Sequence, residues 1–165
     1  MPVHFEPAEM EIRRHRVSER LSGLRLDGLL MFKQESMYYL TGYDTFGFSM
    51  FQCLIIDGSG HTVLLTRLPD LRQAQFTSDI QAIRLWHATE DVNPALELRG
   101  LLDDLGYRNK TLGIEFDSYG LKAHYWRLLE PQLDGFCRLV DASTLVDQFR
   151  RVKSPTEIEY IRRAA

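Results

Sequence analysis

The five residues Gly28-Leu29-Leu30-Met31-Phe32 constrain this chain more than any other feature. An apolar run with no polar break and no room for several helical turns reads as a strand covered on both faces. Such a strand needs helices above and below its sheet, and the flanking sequence supplies them. From Pro7 to Leu26, Met10, Val17, Leu21 and Leu24 recur among Arg13, Arg14, Arg16, Glu19 and Arg20. That spacing predicts an amphipathic helix with proline in its first turn. Cys53-Leu54-Ile55-Ile56 and Thr62-Val63-Leu64-Leu65-Thr66 flank Asp57-Gly58-Ser59-Gly60, a glycine-containing reversal that predicts a hairpin.

The alternation continues toward the C-terminus. Asp70 to Phe76 reads as a helix, and Ile80 to Trp86 as a strand with polar positions at Gln81 and Arg84. Asn93-Pro94 starts a helix through Leu96, Leu101, Leu102 and Leu105 that Gly106 stops, and Thr111 to Glu115 follows as a strand. Ser118 is expected to cap a helix carrying Leu121, Tyr125, Trp126, Leu128 and Leu129, which Pro131 is expected to terminate. Cys137 to Val140 is a further strand. The expected fold class is therefore α/β: a mixed sheet of about six strands with helices on both faces.

Residues 1–150 are expected to form this domain, and residues 151–165 a linker and the start of a helix. Ser154-Pro155-Thr156-Glu157 is a capping box with proline at the first helical position, and Ile158 and Ile161 begin an apolar stripe. A helix this short is marginal alone in water and wants a packing partner. Either it leads on into a further part of the protein, making the chain the front portion of a longer one, or it docks frayed on its own domain.

Charge and hydropathy speak against two classes of partner. The net charge of −3 leaves no basic stripe for nucleic acid. No apolar run approaches the ~20 residues of a spanning helix, and Met1 to Glu6 lack the form of a signal peptide, so no membrane partner is expected and the location is expected to be cytoplasmic. Cys53 and Cys137 lack Cys-x-x-Cys spacing and read as free buried thiols of a reducing compartment.

Catalytic constellations are hard to find. His4, His15, His61, His87 and His124 show no metal-ligand spacing, and Gly-x-Ser-x-Gly is absent. The acidic neighbours Glu90-Asp91, Asp103-Asp104 and Glu157/Glu159 read as solvated surface. Trp86-His87 closes a strand where ligands often sit, but a core Trp beside a surface His is the favoured reading. One segment stands out: Tyr38, Tyr39, Tyr43, Phe46, Phe48 and Phe51 lie within 14 residues. As one strand from Phe46 to Ile56, the period of two would align Phe46, Phe48, Met50, Gln52, Leu54 and Ile56 on one face. That row is either an extension of the core or a surface for a partner.

Two stretches together carry a resemblance. Met37-Tyr38-Tyr39-Leu40-Thr41-Gly42-Tyr43 and the closing Val152-Lys153-Ser154-Pro155-Thr156-Glu157-Ile158-Glu159-Tyr160-Ile161-Arg162-Arg163-Ala164-Ala165 together resemble the N-terminal domain of the creatinase/prolidase family of metallohydrolases. The resemblance implies a non-catalytic domain of a hydrolase, in first place an Xaa-Pro dipeptidase or aminopeptidase. The following domain would carry a dinuclear Mn, Co or Zn centre, whereas this chain would carry no catalytic residue and no cofactor. It also implies a homodimer in which this domain borders the partner subunit's pocket for a peptide or small-molecule substrate, with Tyr43, Phe46 and Phe48 lining it. Carried without a gap through Thr41-Gly42, the resemblance sets Phe48 and Met50 where creatinase uses Phe and Arg on its substrate. The missing guanidinium removes a bidentate carboxylate partner, which disfavours a creatine-like substrate. Two alternatives stay open: a related C–N hydrolase of small amidines or cyclic compounds, and a non-enzymatic binding module of the same fold.

Overall fold

The computed structural model describes residues 4–80, 82–87 and 92–165. Gln81, the Glu90-Asp91 pair and the first three residues of the N-terminal reading lie outside them. Six strands form one sheet: β1 (Gly28–Met31), β2 (Cys53–Asp57), β3 (Thr62–Arg67), β4 (Ala82–Trp86), β5 (Thr111–Ile114) and β6 (Arg138–Asp141). Their spatial order is β4-β3-β2-β1-β5-β6. β2 runs antiparallel to β1 and β3, and the remaining pairs are parallel. The expected mixed sheet is present.

Seven helices flank it: α1 (Pro7–Leu24), α2 (Gln34–Thr41), α3 (Leu71–Thr77), α4 (Pro94–Asp104), α5 (Ala123–Leu133), α6 (Leu145–Arg151) and α7 (Pro155–Ala164). The strand period of two divides the core into two layers. Leu30, Cys53, Ile55, Leu65 and Ile114 face Leu98 and Leu102 of α4 and Leu129 and Leu133 of α5. Leu29, Met31, Leu54, Ile56 and Leu64 face Val17 and Leu21 of α1, Met37 and Leu40 of α2, and Val146 of α6. All four residues of β1 are buried, as the unbroken apolar run required. Each such Leu or Ile stabilises the fold by about 1.5–3 kcal/mol.

Several local expectations need correction. Residues 46–50 do not join a long strand. The Met50 amide donates to the Gly47 carbonyl (2.9 Å), closing a turn, and the strand begins only at Cys53. Ser118 does not cap α5, whose first residue is Ala123. Its hydroxyl instead accepts from the Gly120 amide (3.1 Å) in a turn before the helix. Pro131 lies inside α5, in its last turn, where a missing N–H forfeits a single bond and buried Leu129 and Leu133 hold the helical face. In the hairpin turn only Gly60 takes a positive φ, of 89°. Cys53 is fully buried but Cys137 is half-buried, and both are free. α2 and α6 were not anticipated.

α1 ends on Arg25 at φ 57°, a left-handed residue over which the Leu26 amide reaches back to the Leu21 carbonyl (2.9 Å). Arg25→Gly is expected to stabilise the domain by about 0.5–1 kcal/mol, read as a higher urea midpoint with unchanged slope. Among the described residues no helix is long and apolar enough to cross a membrane.

Candidate functional site

β1 and β5 are parallel neighbours whose chains leave in opposite directions. β1 feeds α2 on one face of the sheet, and β5 leads to α5 on the other. The crevice beyond the carboxyl ends of such a strand pair is where open α/β sheets place ligands. Here it holds a cleft of about 790 Å³. α2 contributes Gln34, Glu35 and Tyr38, the turn after it Asp44, Thr45 and Phe48, and the segment after β5 Tyr119. The α6–α7 junction adds Arg150 and Lys153, and the N-terminal segment His4 and Phe5.

The start of α2, which supplies one wall of the cleft, is held by a buried carboxylate. Glu115, fully enclosed just past β5, accepts from the Phe32 and Lys33 amides (both 2.9 Å) through Oε2 and from the Ser36 hydroxyl (2.5 Å) through Oε1. α2 has no side-chain cap of its own, so Glu115 satisfies the open N–H groups at its start from across the sheet. Burial raises this carboxyl to about 7, against the opposing pull of those donors and of the Lys33 charge. The Lys33 ammonium in turn donates to the Ser143 carbonyl (2.9 Å) and Asp147 (3.0 Å), tying α2 to α6.

The rim is equally constrained. Gly120 passes so close to the Phe32 carbonyl that a Cβ would collide with it, which fixes Tyr119 beside β1. The Tyr119 hydroxyl donates to Glu35 (2.7 Å), and its ring meets Phe48 edge to face at 5.7 Å. Burial and then the Glu35 bond push the phenol up to about 12. The turn carrying Phe46 and Phe48 is pinned to α3: Thr45 Oγ1 donates to Asp70 (2.8 Å), Gly47 N donates to Thr45 Oγ1 (2.9 Å), and Asp44 N donates to Thr77 Oγ1 (3.0 Å). Gly47 is required there, because a Cβ would strike the Asp70 carboxylate.

The three residues expected to line a pocket separate. Phe46 stands 91% exposed and Phe48 50% exposed on the pinned turn, and only Phe48 lines the cleft. Tyr43 is instead fully buried beneath them, its hydroxyl donating to Gln52 Oε1 (2.5 Å) and its carbonyl accepting from Gln34 Nε2 (2.6 Å). Burial drives that phenol up to about 12. Trp86 is a core residue whose indole donates to the Phe51 carbonyl (3.1 Å), and His87 is exposed beside it. Glu115, Tyr119 and Glu35 escaped sequence reasoning because nothing local links positions 84 residues apart. Among the described residues no group of three or more His, Cys, Asp or Glu is placed to hold a metal ion.

Residues 13–152 match the family model described as the creatinase/prolidase N-terminal domain. The ectoine hydrolase of Halomonas elongata is 29% identical, the match covering 96% of this chain and 41% of that protein. Among solved structures, a dipeptidase from Pyrococcus horikoshii superposes with a TM-score of 0.71 at 21% identity, over 89% of this chain and 38% of that one. The N-terminal domain of the cytoplasmic peptidase PepQ from Mycobacterium tuberculosis superposes with a TM-score of 0.64 at 20% identity, over 85% of this chain and 99% of that one. The chain spans 41–43% of the length of the curated relatives it matches.

Proposed function

Since this chain belongs to the creatinase/prolidase N-terminal domain family, we propose that it serves a metal-dependent C–N hydrolase as a non-catalytic domain bordering the substrate pocket of a partner subunit in a homodimer. The observation that carries this reading is the turn bearing Phe46 and Phe48: two large apolar side chains held out toward solvent on a backbone that Asp70 and Thr77 immobilise. Exposing a phenylalanine to this degree is unfavourable unless a partner covers it, and a pre-organised aromatic anchor is what interfaces use. Tyr43 and Gln52 act beneath the turn as its support. A dinuclear Mn, Co or Zn centre would belong to a domain beyond this chain, toward which α7 leads; Ile158, Tyr160 and Ile161 leave that helix with an exposed apolar side suited to packing.

Two substrate classes compete. Likeness to solved Xaa-Pro peptidase structures supports an Xaa-Pro dipeptide, and the ectoine hydrolase relative supports a small cyclic amidine. The full-length gene product, supplied with Mn²⁺ or Co²⁺, is expected to hydrolyse one of these classes in a panel containing both. Inactivity on both overturns the reading. Phe48→Ala in that protein is expected to raise KM by about tenfold while the dimer persists in size-exclusion chromatography. Unchanged kinetics would remove the turn from the substrate pocket.

A further inference from the structure

β6 is the last strand on its side of the sheet, and its outer edge is open. It bonds inward to β5 through the Arg138 amide, which donates to the Lys110 carbonyl, and the Ala142 amide, which donates to the Ile114 carbonyl (both 2.9 Å). By the strand period Leu139 and Asp141 turn their amides and carbonyls away from the sheet, and among the described residues no backbone group meets them. A hollow flanks this edge on each face. On the α1 and α6 face, one of about 580 Å³ is bordered by Arg20, Arg25 and Arg138. On the α5 face, one of about 630 Å³ is bordered by Phe116, Trp126, Leu133 and Leu139, with Phe116 and Trp126 edge to face at 4.9 Å.

The two faces differ in charge. In a chain of net charge −3, none of these three arginines has a carboxylate partner among the described residues. Asp141 also borders their hollow, but its Oδ1 already accepts from the Ser143 amide (2.9 Å) and hydroxyl (2.5 Å). The Asp27 amide donates to the Thr111 carbonyl (2.8 Å), and Thr111 is the register partner of Arg138. The backbone just past Arg25 therefore lies two strand spacings, about 10 Å, from Arg138. Arg25 holds its place in a left-handed conformation that glycine would adopt without strain, so the position keeps its guanidinium at a backbone cost. On the other face the exposed Glu130 and Asp134 border the aromatic hollow, which makes a partner's carboxylate unwelcome there.

We propose that β6 is a docking edge for an extended acidic segment of another protein, which adds to the sheet as a further strand with carboxylates over Arg20, Arg25 and Arg138 and apolar side chains over Phe116 and Trp126. Strand addition draws affinity from main-chain hydrogen bonds and specificity from alternate side chains, and here the alternation separates acidic from apolar positions. A second copy of this chain does not fit. A twofold axis pairing β6 with itself stands normal to the sheet and continues each face into the same face of the partner, which would gather the arginines of both copies together. The arginines lie toward the amino ends of β5 and β6, whereas Phe48 lines the cleft beyond the carboxyl ends of β1 and β5, so this proposal and the partner-pocket role fail separately.

The test is titration of the 165-residue chain with a blocked hexapeptide of alternating glutamate and valine, read by calorimetry and amide hydrogen exchange. Saturable binding below about 1 mM is expected. At saturation the Leu139 and Asp141 amides should exchange about tenfold more slowly, because they alone on β6 gain a new acceptor. Methylating the peptide nitrogens of every second residue should abolish binding for one of the two sets and spare the other, since only one set faces β6. A glutamine-for-glutamate peptide should bind about tenfold more weakly. Arg138→Glu, an exposed substitution that leaves the fold intact by circular dichroism, should weaken the parent peptide by about tenfold. Arg25→Gly should weaken it by about fivefold while raising the urea midpoint, which separates lost binding from lost fold. Absence of saturable binding, no protection at Leu139 and Asp141, equal binding of both methylated peptides, or undiminished affinity in folded Arg138→Glu would each overturn the proposal. Equal affinity for heparin, a polyanion that cannot pair as a strand, would reassign the surface and overturn it too.

Discussion

Glu115→Ala is expected to cost on the order of 3 kcal/mol of folding stability at mildly acidic pH, measured by urea denaturation. Three donors lose their acceptor at once: the Phe32 and Lys33 amides and the Ser36 hydroxyl. None of them reaches water readily, because Glu115 and Ser36 are fully buried and Phe32 nearly so. The start of α2 would open, and with it the walls of the cleft that Gln34, Glu35 and Tyr38 form. Glu115→Gln keeps a carbonyl oxygen for the amides, and the Ser36 hydroxyl can turn to accept from the new amide, so a much smaller loss is expected.

The same pair of proteins reports on pH. The carboxyl is raised by burial from 4.5 to about 7 in the folded chain. Between those values the folded state holds more protons than the unfolded state, so this group's stabilising contribution is full below the lower value and is lost as pH rises through the upper one. Across that window the loss is about 3 kcal/mol. Glu115→Gln removes the titrating group, so its stability should gain on that of the parent chain from pH 5 to pH 8. Parallel pH profiles would show that the amide and hydroxyl donors, and not burial, govern the carboxyl.

Arg13→Met should be the other large effect, again on the order of 3 kcal/mol, because it strips one partner from a buried charged cluster. The guanidinium lies between the Phe5 and Tyr39 rings, 4.0 and 4.4 Å from their centroids, and donates to the Tyr39 carbonyl (3.0 Å) and Glu9 (2.6 Å). Glu157 of α7 approaches it at 3.5 Å. Methionine retains much of the volume between the rings, so the loss reads chiefly the missing charge and hydrogen bonds. Glu9 also accepts from the Ser154 hydroxyl (2.7 Å), so the cluster is the clasp between α1 and the start of α7. Burial alone would raise the Glu9 carboxyl, yet the Ser154 and Arg13 hydrogen bonds hold it below its usual range. Removing Arg13 should therefore speed amide exchange in α7 more than in β1. Uniform acceleration along the chain would argue against a clasp.

α7 shows how far local chemistry reaches. Its capping box forms as read, Ser154 Oγ accepting from the Glu157 amide (3.1 Å) and Glu157 Oε2 from the Ser154 amide (2.8 Å). The docking of that box on Arg13 and Glu9 had no signal in the sequence, since it joins groups about 145 positions apart. α2 is the opposite case. Tyr38-Tyr39-Leu40-Thr41 favours strand by propensity, and its helix is sustained by the Glu115 carboxylate just past β5 and by Met37 and Leu40 in the core.

Whatever depends on periodicity and short-range capping was written in the sequence: the doubly covered β1, the β2–β3 hairpin, the alternation that predicts a mixed sheet, and the proline-started helices α1, α4 and α7. Tertiary structure alone decided that α2 is a helix, that Tyr43 goes inward while Phe46 and Phe48 go outward, and that Glu35, Tyr119 and Lys153 share one cleft. The reason is physical. A period or a cap is settled by neighbours a few residues away, whereas burial of a carboxylate and convergence of charges depend on which strands pair, and that pairing joins segments distant along the chain.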